Sequence, residues 1–210
     1  MISGPATAAL TASALGLTAA LTPGPLLALV LAQTLAHGPR EGIKVAIAPL
    51  LTDAPIVLAA LLLAGSAAGH SSILAGITLA GCLFLLWCAA GCLRWRPENA
   101  QAALATNPGS IKKGVLANLL NPGPYLFWMT VGAPLISRSY QFGWATLACF
   151  LGAFSLSIVG TKATVALLAG RYGSLLGSRG YVWIMRGLGA MLLVYAALFA
   201  RDALAMLSGA

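Results

Sequence analysis

Leu21-Thr22-Pro23-Gly24-Pro25 and Leu120-Asn121-Pro122-Gly123-Pro124 carry one signature twice, each copy inside a long apolar run. Proline has no amide hydrogen to donate, and its ring clashes with the carbonyl four residues back. Two prolines flanking a glycine therefore break a helix where hydrocarbon makes unpaired backbone groups most costly. Matched breaks in the two halves of a membrane protein point to a binding site between them. The plain alternative, at either copy, is a packing kink whose freed backbone groups are satisfied by neighbouring helices.

The membrane reading follows from composition. The chain has 210 residues, 60% of them hydrophobic and 8% charged, with a mean hydropathy of +0.91. A soluble domain has about a quarter of its residues charged. Six apolar stretches, near 6–36, 43–65, 72–93, 114–137, 143–169 and 181–205, are long enough to cross a bilayer as helices. Lys and Arg are absent before Arg40, so the first stretch lacks the positively charged start of a signal peptide.

Charge sets the expected orientation. Arg40, Lys44, Arg94, Arg96, Lys112, Lys113, Arg171, Arg179 and Arg186 fall on one side, and only Arg138 and Arg201 on the other. That asymmetry puts the loops after spans 1, 3 and 5 in the cytoplasm and both termini outside. The net charge of +8 is thus mainly a topology signal. Being spread over three short loops, it gives no support to nucleic-acid binding, although residues 94–113 are placed to touch anionic lipid headgroups.

These features predict an all-α integral membrane protein of six transmembrane helices, arranged as two inverted three-helix repeats. Residues 1–93 form the first repeat, 94–113 a cytoplasmic loop and 114–210 the second. Three spans per half make the second copy enter the membrane from the opposite side. Helices 1 and 4 are then broken at Pro-Gly-Pro. Pro23 and Pro25 free the carbonyls of Ala19 and Leu21, and Pro122 and Pro124 those of Asn118 and Leu120. Each restarting helix offers an N-terminus with free amides, which suits a carboxylate. The freed carbonyls suit an ammonium or a cation, so a zwitterion satisfies both.

Two charges lie within spans. Asp53 stands between Pro49 and Pro55 in span 2, and Lys162 lies toward the cytoplasmic end of span 5. A lone charge at membrane depth costs about 2.5–3.5 kcal/mol on insertion scales and usually faces a bundle interior. Both are expected to face one central cavity, either paired or each holding one end of a substrate. The alternatives are a Lys162 that snorkels to the headgroups and an Asp53 kept protonated as a helix-to-helix hydrogen bond. A raised carboxyl group is also what proton coupling needs. Thr22 and Asn121 hold equivalent places in the repeat and are expected to line the site. Asn118 either joins them or caps the break, and Gln33 is expected to bridge helices. Thr161 points about 100° away from Lys162 on a helix.

Gly65 and Gly69, and Gly152, Ser155, Ser157 and Gly160, read as close helix packing. Trp87, Trp95, Trp128, Trp144 and Trp183 read mostly as interfacial anchors. Cys82, Cys88, Cys92 and Cys149 include no Cys-x-x-Cys and read as buried free thiols. His37 and His70 lie at opposite surfaces. No convergent metal ligands and no cofactor motif are apparent.

The residues resemble the LysE/RhtB family of bacterial amino-acid exporters over essentially the whole chain. The resemblance rests on Leu21-Thr22-Pro23-Gly24-Pro25, His37-Gly38-Pro39-Arg40-Glu41-Gly42, Asp53, the basic loop, Gly114 and Leu119-Leu120-Asn121-Pro122. It implies a multi-pass inner-membrane protein that exports amino acids or close derivatives, driven by the proton or sodium gradient. The chain departs from the family in flanking its span-2 aspartate with Thr52 and Ala54, and in Lys162. The substrate-binding set expected is Thr22, Pro23, Gly24, Pro25, Asn118, Asn121, Pro122, Gly123, Pro124 and Lys162, with Asp53 for coupling or ammonium binding. A homodimer is compatible with so small a bundle, though no motif specifies one.

Three rivals predict different residues. A thiol–disulfide carrier of the CcdA/DsbD type needs cysteines beside the breaks, where this chain has Thr22 and Asn121. A heavy-metal or divalent-cation exporter needs more than one membrane carboxylate. An aquaporin-like channel needs two re-entrant segments besides six spans.

Overall fold

The computed structural model describes residues 2–64, 70–94, 108–173 and 178–208, and these are helical with no strand among them. The chain runs through α1 (Pro5–Leu21), α2 (Pro25–His37), α3 (Pro39–Ala46), α4 (Ala48–Ala64) and α5 (His70–Leu93). It continues through α6 (Ser110–Leu119), α7 (Pro122–Phe127), a π turn (Trp128–Gly132), α8 (Ala133–Gln141), α9 (Trp144–Gly173) and α10 (Ser178–Ser208). The Gly65/Gly69 pair, Trp95 and most of the 94–113 loop lie outside the described residues.

The first break forms as proline chemistry requires. The Thr22 amide makes the last bond of α1, to the Thr18 carbonyl at 2.9 Å. Pro23 then has no amide to offer, and Gly24 is extended. Pro25 opens α2 at a position where the missing amide costs nothing. α1 and α2 meet at 64°.

The second copy of the motif behaves differently. Here the break falls at Leu120–Asn121, and Pro122 already opens α7, so the Pro-Gly-Pro lies inside the new helix. The cause is Asn121, whose Oδ1 accepts a 2.9 Å bond from the Gly123 amide and caps the helix two residues earlier than the motif alone predicts. Thr22 does not do the same: its hydroxyl donates back to the Thr18 carbonyl at 2.7 Å, and α2 has no side-chain cap. Of the two carbonyls expected to be freed there, that of Asn118 accepts instead from the Asn121 amide at 3.3 Å.

Among the described residues, four helical stretches are individually long and apolar enough to cross a membrane: Pro39–Ala59, Leu74–Leu93, Trp144–Tyr172 and Val182–Ser208. The bent α1–α2 pair makes a fifth. Residues 110–141, expected to hold a span, are divided by the Leu120–Asn121 break and the π turn, so no piece reaches that length alone.

α1 lies along α9, and α5 along α10. The first pair approaches closely at Gly16, where a Cβ would stand 2.8 Å from the Phe154 carbonyl oxygen and from the Ser157 Cβ. Gly152 and Gly160, expected to make such a contact, have open space instead. The close approach thus comes from α1, onto the face of α9 that carries Ser157.

Two apolar clusters form the interior. One joins α2, α3, α5 and α10 through residues such as Leu29, Val45, Leu85 and Leu192. The other gathers Ala12, Ile56, Tyr125, Trp128, Phe150 and Phe154 from α1, α4, α7, the π turn and α9.

Candidate functional site

A cavity of about 350 Å³ lies where these clusters meet. Leu26 and Phe199 of the first cluster and Trp128 and Phe154 of the second share its wall. Thr22, Pro23, Gly24 and Pro25 line it from the first break, and Asn121, Gly123 and Pro124 from the second. Asp53, Asn118 and Lys162 complete its polar lining together with Tyr195. Of the substrate-binding and coupling residues expected from the sequence, Pro122 alone is absent from the lining; it is buried as the first residue of α7.

Asp53 and Lys162 make no salt bridge with each other; neither appears among the ion pairs of the described residues. Each is held by a neutral partner. The Asn118 side-chain amide donates to Thr52 Oγ1 at 2.6 Å and to Asp53 Oδ1 at 3.3 Å, tying α6 to α4 across 65 residues of chain. Asn118 is 4% exposed, and this role replaces the capping that Asn121 performs.

Lys162 is 3% exposed and does not snorkel. Its ammonium donates a 3.0 Å bond to the Ala20 carbonyl near the end of α1. In an unbroken helix the Gly24 amide would occupy that oxygen, but Gly24 is extended. A positive charge also suits the C-terminal end of a helix dipole. The carbonyl used is therefore Ala20, next to the Ala19 and Leu21 positions expected from the prolines alone.

Tyr195, which the sequence reading missed, donates a 2.6 Å bond from its hydroxyl to the Pro23 carbonyl. Side chains of α9 and α10 thus hold two carbonyls of the first break. At the second break, the Tyr125 hydroxyl donates to the Leu119 carbonyl at 3.0 Å. A lone tyrosine in an apolar span has no partner signal in sequence, and the contact exists only because α10 passes the break.

The helix ends facing the cavity are unequal. α2 begins without a side-chain cap, whereas one amide of α7 is already taken by Asn121. The end nearer Lys162 is thus the better site for an anion.

The remaining wall is aromatic. Phe127 stacks on Phe154 with centroids 5.4 Å apart, and Trp128 meets Phe154 edge-on at 5.1 Å. Trp128 was expected as an interfacial anchor but is 3% exposed, while Trp87, Trp144 and Trp183 are largely exposed. No cysteine is among the cavity's lining residues. Cys82, Cys88 and Cys92 are buried, but Cys149 is exposed, against the expectation that all four are buried. Among the described residues, no three His, Cys, Asp or Glu converge as metal ligands. Thr161 faces away, into a shallow groove between α1 and α9.

A second cavity, of about 270 Å³, is lined by Gln33, Trp87, Cys88, Cys92, Arg94 and Lys113, among others. Gln33 bridges helices, its Oε1 accepting from the Ser110 hydroxyl of α6 at 3.0 Å.

No curated protein and no solved structure matches the chain. The family model of the LysE type translocators matches residues 17–203, and the chain belongs to that family.

Proposed function

We propose that this multi-pass membrane protein exports amino acids or close derivatives across the bacterial cytoplasmic membrane by alternating access. Membership of a translocator family supports transport over catalysis. The observation that carries the reading is the separation of Asp53 and Lys162 on one cavity wall, each held by a neutral partner rather than by the other. A free zwitterion supplies a direct ion-pair partner to each of them in a single molecule. Its carboxylate meets the Lys162 ammonium and the uncapped start of α2. Its ammonium meets Asp53, with Asn121 and Thr22 alongside.

Asp53 also serves as the coupling group, taking up a proton or attracting a sodium ion. The six-span reading, with residues 1–93 and 114–210 as inverted repeats joined by a cytoplasmic loop, is supported by both motif copies lining one cavity. Both termini then lie outside. A cavity lined, among the described residues, by one carboxylate and by no histidine or cysteine is a poor divalent-metal or redox site.

The test is efflux of labelled amino acids from cells overproducing the protein, with and without a collapsed proton or sodium gradient. Faster, gradient-dependent efflux of at least one amino acid is expected. Unchanged efflux across the twenty amino acids and short peptides overturns the proposal.

A further inference from the structure

The walls of the central cavity restrict the substrate's side chain, given the zwitterion reading above. We infer that the substrate is a neutral amino acid with an apolar side chain, branched or aromatic, and neither a basic nor an acidic one.

The first reason is a count of charges. Among the described residues, Asp53 and Lys162 are the only charged ones lining the cavity. The substrate's own ammonium and carboxylate take both. A third charge, on a lysine or glutamate side chain, would be stripped of water with no counter-charge, which is costly in a low-dielectric site.

The second reason is that the two hydroxyl hydrogens on the wall are already committed. Thr22 donates to the Thr18 carbonyl, Tyr195 to the Pro23 carbonyl, and Asn121 accepts from the Gly123 amide. A substrate oxygen would have to break one of the two hydroxyl bonds to receive a hydrogen from Thr22 or Tyr195. By contrast, Lys162 has two further N–H donors and Asp53 has unused lone pairs, so the α-groups need break nothing.

The third reason is the wall. Phe127, Trp128 and Phe154 form one interlocked aromatic surface, continued by Ile158 and Phe199. Such a surface rewards an apolar side chain and gives nothing to a polar one. The cavity volume of about 350 Å³ does not by itself select among amino acids, so polarity decides.

The experiment uses the purified full chain in proteoliposomes loaded separately with leucine, phenylalanine, alanine, serine, lysine or glutamate, reading counterflow of the labelled form of each. Leucine and phenylalanine are expected to exchange at least ten-fold faster than serine, lysine or glutamate at equal subsaturating concentration. Phe127→Ala is expected to lower phenylalanine exchange at least ten-fold more than alanine exchange. Serine, lysine or glutamate exchanging as fast as leucine overturns the inferred side-chain class while leaving the exporter reading intact. Absence of exchange for every amino acid overturns both. Undiminished phenylalanine exchange by a folded Phe127→Ala protein overturns the role of the aromatic wall.

Discussion

The Lys162 ammonium and the Ala20 carbonyl are joined at 3.0 Å across 142 residues of chain, and this bond closes the first helix break from the side. A cation at a partly buried helix C-terminus gains up to about 2 kcal/mol. Insertion of the same charge costs about 2.5–3.5 kcal/mol. The gain does not exceed the cost, so the lysine adds no net stability.

Lys162→Met should accordingly insert and purify with a melting temperature close to wild type, while amino-acid efflux falls at least ten-fold. Thermal unfolding in detergent and labelled efflux, measured on the same variant, separate the two effects. Wild-type efflux in a well-folded Lys162→Met protein removes the lysine from the transport mechanism.

Asn118 holds Thr52 and Asp53 with one amide group, so its loss should be felt on both sides of the cavity. Asn118→Leu leaves buried oxygens without their donor, a loss of about 1–3 kcal/mol. Asp53→Asn, in contrast, keeps a hydrogen-bonding side chain and should fold, while efflux drops at least ten-fold and no longer responds to the driving ion gradient. A double-mutant cycle between the two positions should give a coupling energy of about 0.5–3 kcal/mol; additivity would show that the Asn118 contact does not position Asp53.

The helix breaks were legible in the sequence because a missing amide is written into every proline. What fills the break was not. Whether a freed carbonyl is met by Lys162, Tyr195 or Tyr125 depends on which helix passes it, and that is tertiary information. The second break moved by two residues because Asn121 caps its helix, whereas Thr22 turns back to bond its own. Trp128 misled for a related reason: tryptophans favour interfaces on average, but this one starts a π turn that swings it against Phe154. Asp53 and Lys162 were visible as charges in apolar runs, and their convergence on one cavity needed the fold.

Tyr195 offers a test of the first break alone. Its hydroxyl bond to Pro23 is short, at 2.6 Å, and Tyr195→Phe removes that bond with little change in packing. Stability should fall by about 0.5–1.5 kcal/mol. For a chain of this size that is a loss of about 2–4 °C in melting temperature per kcal/mol. An unchanged melting temperature would mean that the break holds its shape without the tyrosine.

The cysteines make a negative control. Cys82, Cys88 and Cys92 are buried away from the central cavity, and Cys149 is exposed on α9. Replacing all four with alanine should leave efflux within about two-fold of wild type, since small apolar substitutions at such sites mainly remove packing. Loss of efflux in a stable cysteine-free protein would return the redox reading to consideration.

Two glycines should respond oppositely to the same methyl group. At Gly81 on α5, an added Cβ would stand 2.1 Å from the Leu120 carbonyl oxygen, a backbone atom that cannot turn aside. Gly81→Ala must push α5 away from the second break and displace Asn121, the next residue after Leu120, from the cavity wall. At Gly152 on α9 the methyl meets nothing within 4 Å. There the substitution relieves glycine's entropic cost within a helix, a gain of about 0.5–1 kcal/mol. Gly152→Ala should therefore raise the melting temperature slightly and leave efflux unchanged, whereas Gly81→Ala should lower both. A silent Gly81→Ala protein would show that α5 does not press on the break, and that Asn121 is held by its own cap alone.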